Sequence, residues 1–297
     1  MISLRQLRYL ETLGRTRHFG RAAALCGVSQ PALSMQIRDL EARLGVALVE
    51  RGRDGVRLTE AGNDAAERGR AILLAVADLE ASAAIHGRPL EGRFRLGVIP
   101  SIAPFLLPRL LPAARRLYPG LELGLRETQT DMLLGELLAG DLDAVILSLP
   151  VDHADLAALP LFEDAFLLAV PADAPVPADG MASADLLMRE DLLLLEDGHC
   201  LRDQALQVCA NIDPRRLRSY GATSLTTIVQ LVANGQGVTL LPELFVEAER
   251  MADERVRLMR FTVPEPRRVV GLVWRRSAPR TADIEALAEL VQACRER

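Results

Sequence analysis

The four residues Cys26–Gly27–Val28–Ser29 constrain this chain more than any other feature. They lie between two stretches with helical apolar spacing and hold a stop signal and a start signal side by side. Gly27 suits the left-handed position that follows a helix C-terminus. Ser29 is an N-cap, and Pro31 fits a first turn, where its missing N–H costs nothing. The spacing predicts helices over about Phe19–Leu25 and Gln30–Leu44, the second ending at Gly45. Leu33, Ile37, Leu40 and Leu44 form its apolar stripe, and Gln30, Ser34, Gln36 and Arg38 its polar side. Upstream, Ser3 and Gln6 make a capping box ahead of Leu4, Leu7 and Leu10. Downstream, Leu48–Arg51 and Val56–Thr59 flank Gly52–Arg53–Asp54–Gly55, a hairpin tip. The pattern is a winged helix-turn-helix over residues 1–58.

Charge supports a polyanion partner for this head. Residues 1–58 hold ten Arg and five acids, a balance of +5, whereas residues 59–297 hold 25 Arg and 35 acids, a balance of −10. A helix fits the major groove of double-stranded DNA. There Gln30 and Gln36 can pair with base edges, while Ser29, Ser34, Arg38, Arg51 and the wing-tip Arg53 can hold phosphates. The chain contains no Lys, which excludes Schiff-base and P-loop lysine chemistry. No apolar run approaches the ~18–20 residues that span a bilayer, and the N-terminus has no apolar signal core. The expectation is a cytoplasmic protein with no membrane partner.

Thr59 caps a predicted helix over about Glu60–Ile85, with Ile72, Val76, Leu79 and Ala83 in a narrow seam like that of a coiled coil. His86–Gly87–Arg88–Pro89 ends it. The segment FGRAAALCGVSQPALSMQIRDLEARLGVALVERGRDGVRLTEAG resembles the N-terminal signature of the LysR-type transcriptional regulators. The resemblance implies a DNA operator as partner and a linker helix over 59–89 that pairs two heads in a homodimer or homotetramer. It also implies contact with RNA polymerase.

From Gly92 the pattern alternates. Strand-like runs at Phe94–Ile99, Leu121–Arg126, Ala144–Ser148 and Ala165–Val170 are interleaved with helical ones at Ile102–Leu117 and Asp131–Ala139. Further strands follow at about Leu192–Leu195, Leu217–Ser219, Val238–Leu241, Val256–Met259 and Val269–Trp274, with helices at Leu201–Cys209, Leu225–Ala233 and Ala282–Arg295. This rhythm predicts an α/β body with a mostly parallel sheet and helices on both faces. The family resemblance implies a regulatory domain over 90–297, built like a periplasmic binding protein. Its two α/β subdomains would be about 90–163 with 268–297, and 164–267, joined by two crossing strands. Ligands in such folds sit at strand C-termini, where Ser101, Thr128, Thr130 and Ser224 supply hydroxyls.

There are four cysteines, with no spacing that suggests a metal, and no cofactor motif. Cys26 and Cys294 read as small buried hydrophobes. Cys200 stands at a strand-to-helix junction in EDGHCLRD. The helix N-terminus, His199 and Arg202 favour its thiolate, while Glu196, Asp197 and Asp203 oppose it. A thiolate there would react with peroxide to give a sulfenic acid. Cys209 lies nine residues on. In an unbroken helix that is ~13.5 Å and ~900° of rotation, on the opposite face, whereas a disulfide needs Cα atoms ~4.4–6.8 Å apart. Spacing alone leaves open whether the two are related.

LLLLEDGHCLRDQALQVC resembles the redox centre of the hydrogen-peroxide-sensing members of the LysR family. GVIPSIAPFLLPRLLP, ETQTDMLLGEL, ATSLTTIVQLVANGQGVTLLP and PEPRRVVGLVWR extend the likeness over the whole chain. The resemblance implies that Cys200 is peroxidatic and Cys209 resolving, and that His199, Arg202, Asp203, Thr130 and Arg267 shape the pocket or its hydrogen bonds. Ser101 stands where those proteins usually have Thr, keeping the hydroxyl without the methyl. The resulting expectation is an activator of oxidative-stress genes, not an enzyme. Its rivals are a LysR-type sensor of a small carboxylate in the same cleft and a thiol peroxidase.

Overall fold

The computed structural model describes residues 1–52, 55–84, 89–175, 177–183, 187, 190–208, 213–249 and 253–295. The chain divides into two compact units, Met1–His86 and Gly87–Arg297.

The first unit contains α1 (Leu4–Thr16), α2 (Phe19–Leu25), α3 (Gln30–Leu44), the hairpin β1 (Val49–Gly52) and β2 (Gly55–Leu58), and α4 (Glu60–Ala84). The start and stop signals act as read. Ser3 and Gln6 exchange capping-box hydrogen bonds, Ser29 Oγ accepts from Ala32 N–H, and Gly45 takes a left-handed conformation at φ 72°. Leu10, Leu13, Ala22, Leu33, Ile37, Leu40 and Leu48 close the core. Glu41 fastens α3 to the wing by accepting from the Leu48 and Val49 amides at 2.8 and 3.1 Å. The start of α4 lies so close to β1 that a Cβ on Gly62 would sit 2.0 Å from the Leu48 carbonyl oxygen. Thr59 caps α4 through the Gly62 amide. Farther along α4, Ile72 and Leu79 of the expected seam are 48% and 69% exposed. Ile85, His86, Gly87 and Arg88, and the wing tip Arg53–Asp54, lie outside the described residues.

The second unit comprises β3 (Gly92–Val98), α5 (Ala103–Leu117), β4 (Leu121–Glu127), α6 (Thr130–Leu138), β5 (Ala144–Leu149) and β6 (Leu156–Pro171). After these come β7 (Leu192–Leu194), α7 (Cys200–Val208), β8 (Leu217–Ser219), α8 (Leu225–Ala233), β9 (Thr239–Pro242), α9 (Glu243–Glu249), β10 (Val256–Met259), β11 (Arg267–Arg275) and α10 (Thr281–Arg295). The mostly parallel sheet expected from the alternation is corrected to a mixed one. β3 runs parallel to β4 and β5, but β11 pairs antiparallel with β5 and β6, and β6 antiparallel with β9 and β10. The reversed strands all pair along β6, a 16-residue strand. Its first half pairs with β11 and its second with β9 and β10, so one strand serves two sheet regions; β6 itself keeps the direction of the parallel set, and β11, β9 and β10 run against it. Pro160, Glu163 and Asp164 interrupt its apolar pattern, which is why only the second half reads as strand in the sequence. Helix α9 has no counterpart among the sequence expectations either.

Candidate functional site

In the second unit, Cys200 opens α7 above a small cavity. Ile99, Pro100 and Ser101 after β3 line it, with Gln129 and Thr130 at the start of α6, and Gly198, His199 and Leu201 around the cysteine itself. The turn into α7 depends on Gly198. Its φ is +90°, and a Cβ there would lie 2.8 Å from Gln129 Oε1. Gln129 Nε2 in turn donates to the Asp197 carbonyl at 3.3 Å, tying the cysteine loop to the α6 side. The centre of a water-sized molecule has about 10 Å³ in this cavity, close to the ~10–15 Å³ that holds one water.

Behind the cavity lies a buried polar chain. Arg268 on β11 donates from Nη1 to Ser101 Oγ at 2.8 Å and from Nη2 to the Ser101 carbonyl at 3.1 Å. Its Nε and Nη2 hold Asp164 Oδ2 at 2.9 and 2.8 Å. Asp164 Oδ1 accepts from the Leu244 amide at 2.9 Å, near the start of α9. The ion pair is fully buried, with side-chain exposures of 1% and 0%. Strand register produces it: Arg268 stands directly opposite Asp164 in the β11–β6 pair. Successive side chains of a strand face opposite sides, so Arg267 points the other way. There it pairs with Glu163 at the surface. The buried cation behind the pocket is therefore Arg268, where the sequence resemblance had pointed to Arg267.

These neighbours set the sulfur's acidity. Burial pushes the Cys200 thiol above the ordinary thiol range, opposed by the Arg268 charge and by hydrogen bonding from Thr130 and Ser101, with Asp203 adding to the rise. The net direction is up, which corrects the expectation of a thiolate favoured by His199 and Arg202. His199 is buried, and desolvation lowers its pKa, so at neutral pH it carries no charge. Arg202 is committed elsewhere, to Asp197 at 2.8 Å and the Leu195 carbonyl at 3.1 Å. Thr130 Oγ1 is buried with no hydrogen-bond partner of normal geometry in the protein. Ser224, a further candidate hydroxyl, is spent capping α8 through the Thr227 amide. Cys209 lies outside the described residues. Cys26 and Cys200 are free thiols, and the Cys294 thiol is buried and donates to the Arg109 carbonyl at 3.7 Å. Among the described residues no cluster of metal-binding side chains forms.

In the first unit, Gln30, Ser34 and Arg38 follow one another at four-residue spacing on α3. Gln36 sits about 200° around the helix from Ser34, on the other flank of the buried Leu33–Ile37–Leu40 stripe. The single polar face read from sequence is thus two. Gln30, Ser29, Pro31 and Arg38 are exposed, and Ser34 and Gln36 half-buried. The side chains of Arg51 and Arg53 are outside the described set.

Among the described residues no helix is long and apolar enough to cross a membrane. Residues 4–63 match the bacterial regulatory helix-turn-helix protein family of lysR type, and residues 87–295 match the LysR substrate binding domain. The chain belongs to the LysR family of DNA-binding transcriptional regulators. Within it, the chain is similar to OxyR. It is 43% identical to the DNA-binding transcriptional dual regulator OxyR of Escherichia coli over 98% of this chain and 95% of that one. A probable hydrogen peroxide-inducible genes activator of Mycobacterium avium is 40% identical over 96% of this chain and 92% of that one. Among solved structures, a full-length OxyR cysteine-to-aspartate variant from Pseudomonas aeruginosa superposes with a TM-score of 0.79 at 37% identity, covering 99% of both chains. A Corynebacterium glutamicum OxyR cysteine-to-serine variant, hydrogen peroxide-bound, gives 0.69 at 33% identity over 100% of this chain and 93% of that one.

Proposed function

We propose that this regulator senses hydrogen peroxide through Cys200 and activates transcription of oxidative-stress genes. The observation that carries this reading is the cavity against the sulfur. It has room for one molecule near water size and is lined by the hydroxyls of Ser101 and Thr130, the second without a hydrogen-bond partner of normal geometry in the protein. A small carboxylate would need more room and an accessible cation, whereas Arg268 is buried and held by Asp164. In the reaction, the Cys200 sulfur attacks one peroxide oxygen and the O–O bond breaks. The other oxygen leaves as water with the thiol proton, and Cys200 becomes a sulfenic acid. The Cys209 thiol then attacks that sulfur, expelling a second water and forming a disulfide. Helix α7 carries the chain ~12 Å from Cys200 to Val208, and the next Cα can be no more than ~3.8 Å from that of Val208. An intact α7 therefore keeps the two cysteines beyond the ~6.8 Å that a disulfide allows. Oxidation must unwind it, and the covalent step becomes a conformational one. His199, Asp203 and Arg202 shape the loop around the thiol rather than activating it by charge. The exposed seam of α4 pairs two heads on a DNA operator in the cytoplasm, in a homo-oligomer that engages RNA polymerase. Residues 1–58, 59–89 and 90–297 are the head, linker and regulatory domain, the last in halves of 90–163 with 268–297, and 164–267.

The test is thiol counting and peptide mapping before and after stoichiometric peroxide, with DNA footprints of both forms. A Cys200–Cys209 peptide and a changed footprint are expected, and Cys200→Ser should abolish both while keeping the reduced footprint. A disulfide through Cys26 or Cys294, or a Cys200→Ser protein that still responds, would overturn the reading. Continuous turnover with a thiol reductant would point instead to a peroxidase.

A further inference from the structure

The buried chain behind the pocket runs in one line: the Leu244 amide, the Asp164 carboxylate, the Arg268 guanidinium, the Ser101 hydroxyl, and then the sulfur. Only its last two links touch the cavity. Asp164 is fully buried, and both its oxygens are occupied, one by Leu244 and one by Arg268. It therefore reaches Cys200 through Arg268. The charged and titratable groups around the sulfur are Arg268 on β11, Asp203 on its own helix, and His199 just before it, which is neutral at pH 7. Arg268 is the cation in this set that favours the thiolate. A buried guanidinium that loses its carboxylate keeps its charge and takes whatever counter-ion is within reach. Here that counter-ion is the Cys200 thiolate.

We propose that Asp164 is a positioning residue of the Cys200 site: it fixes the Arg268 guanidinium against Ser101 and shares its charge, and so limits how strongly that cation acts on the sulfur. The consequence is a thiol held largely protonated in the reduced protein. Because the thiolate is the nucleophile, such a thiol is shielded from indiscriminate electrophiles. The inference builds on the peroxide-sensing reading, but its test uses no peroxide.

The experiment is the pH dependence of Cys200 alkylation by iodoacetamide in the full-length reduced protein, followed by peptide mass spectrometry, with the Cys26 and Cys294 peptides as internal references. In the wild type, burial places the midpoint above that of an ordinary thiol. Asp164→Asn should lower it by about one pH unit or more, which is roughly a tenfold rise in rate at a pH well below the midpoint. Asp164→Glu should lower it by less. The slot is closed, so the extra methylene can only push the guanidinium toward Ser101 and the sulfur. The paired variant Asp164→Asn with Arg268→Gln strands no ion and is the one best placed to fold; its midpoint should rise, because the cation is gone. A purely structural Asp164 would lower the melting temperature and leave every midpoint where it was. An unmoved or raised midpoint in either folded single variant, or an unmoved or lowered one in the pair, would overturn the proposal. If the midpoints move as stated while the protein ignores peroxide, Asp164 keeps this role and the sensor reading fails.

Discussion

The α3 surface and the Cys200 pocket each depend on a handful of polar side chains, but they are built in opposite ways. On α3, Gln30, Ser34 and Arg38 are placed by helix periodicity alone, and the outer two are exposed. The pocket draws on residues 99–101, 129–130, 198–201, 164 and 268, brought together from separate strands and loops and largely buried. A site of the first kind can change its chemistry at little cost to folding. In the second kind each polar group is also a packing element, so function and stability move together.

The largest effect that sharpens this contrast comes from two neighbouring arginines. Arg268→Ala leaves Asp164 as a buried carboxylate without its cation, a loss of about 3–5 kcal/mol. Arg267→Ala removes a pair whose side chains are 48% and 59% exposed, worth below about 1 kcal/mol after solvent screening. Denaturant melts of the two variants measure the difference. Equal losses would mean that strand register does not divide the two residues between core and surface.

How much of each site the sequence discloses follows from the same contrast. Ser3, Gly27, Ser29, Pro31 and Gly45 act on their own turn, so the head is readable residue by residue. Even there, the helix angle that separates Gln36 from Ser34 is lost when polar positions are merely counted. In the pocket, Cys200, Ser101 and Thr130 are conspicuous because they sit at strand–helix junctions. The choice between Arg267 and Arg268 is not, since it depends on which face of β11 meets β6. Alternation along Arg268, Val270 and Leu272, all buried, was the available signal for putting Arg268 inside. Asp164 is hidden for a stronger reason: an Asp in an interrupted apolar run reads as a turn until the opposing strand supplies its arginine. His199 and Arg202 show the reverse error, because proximity in sequence to a thiol does not decide whether a cation is charged or free.

On the head, the expected effects fall on recognition rather than folding. Gln30→Ala should relax base preference at one operator position by about 1–3 kcal/mol, whereas Arg38→Ala should weaken binding to all sequences and flatten its salt dependence. Both proteins should melt like the wild type. Titrations on specific and random DNA across a salt series separate the two. A uniform loss for Gln30→Ala, or a change in melting for either, would place α3 among the sites where function and stability are coupled.

The smallest effect lies in the pocket and divides its two hydroxyls. Ser101 Oγ accepts from Arg268, so Ser101→Ala leaves a buried guanidinium N–H unpaired and should destabilise by about 1–3 kcal/mol. Thr130 Oγ1 is buried with no hydrogen-bond partner of normal geometry, its interaction being with the Cys200 sulfur, so Thr130→Val, nearly isosteric, removes a desolvated hydroxyl at the cost of one weak contact. Stability should hold or rise slightly. Yet the same hydroxyl favours the Cys200 thiolate, and its loss should slow oxidation by about 1 kcal/mol, or roughly fivefold in rate. Stopped-flow oxidation kinetics and melts on both variants check this. If Thr130→Val loses stability without losing rate, the hydroxyl belongs to the packing and is not there for peroxide.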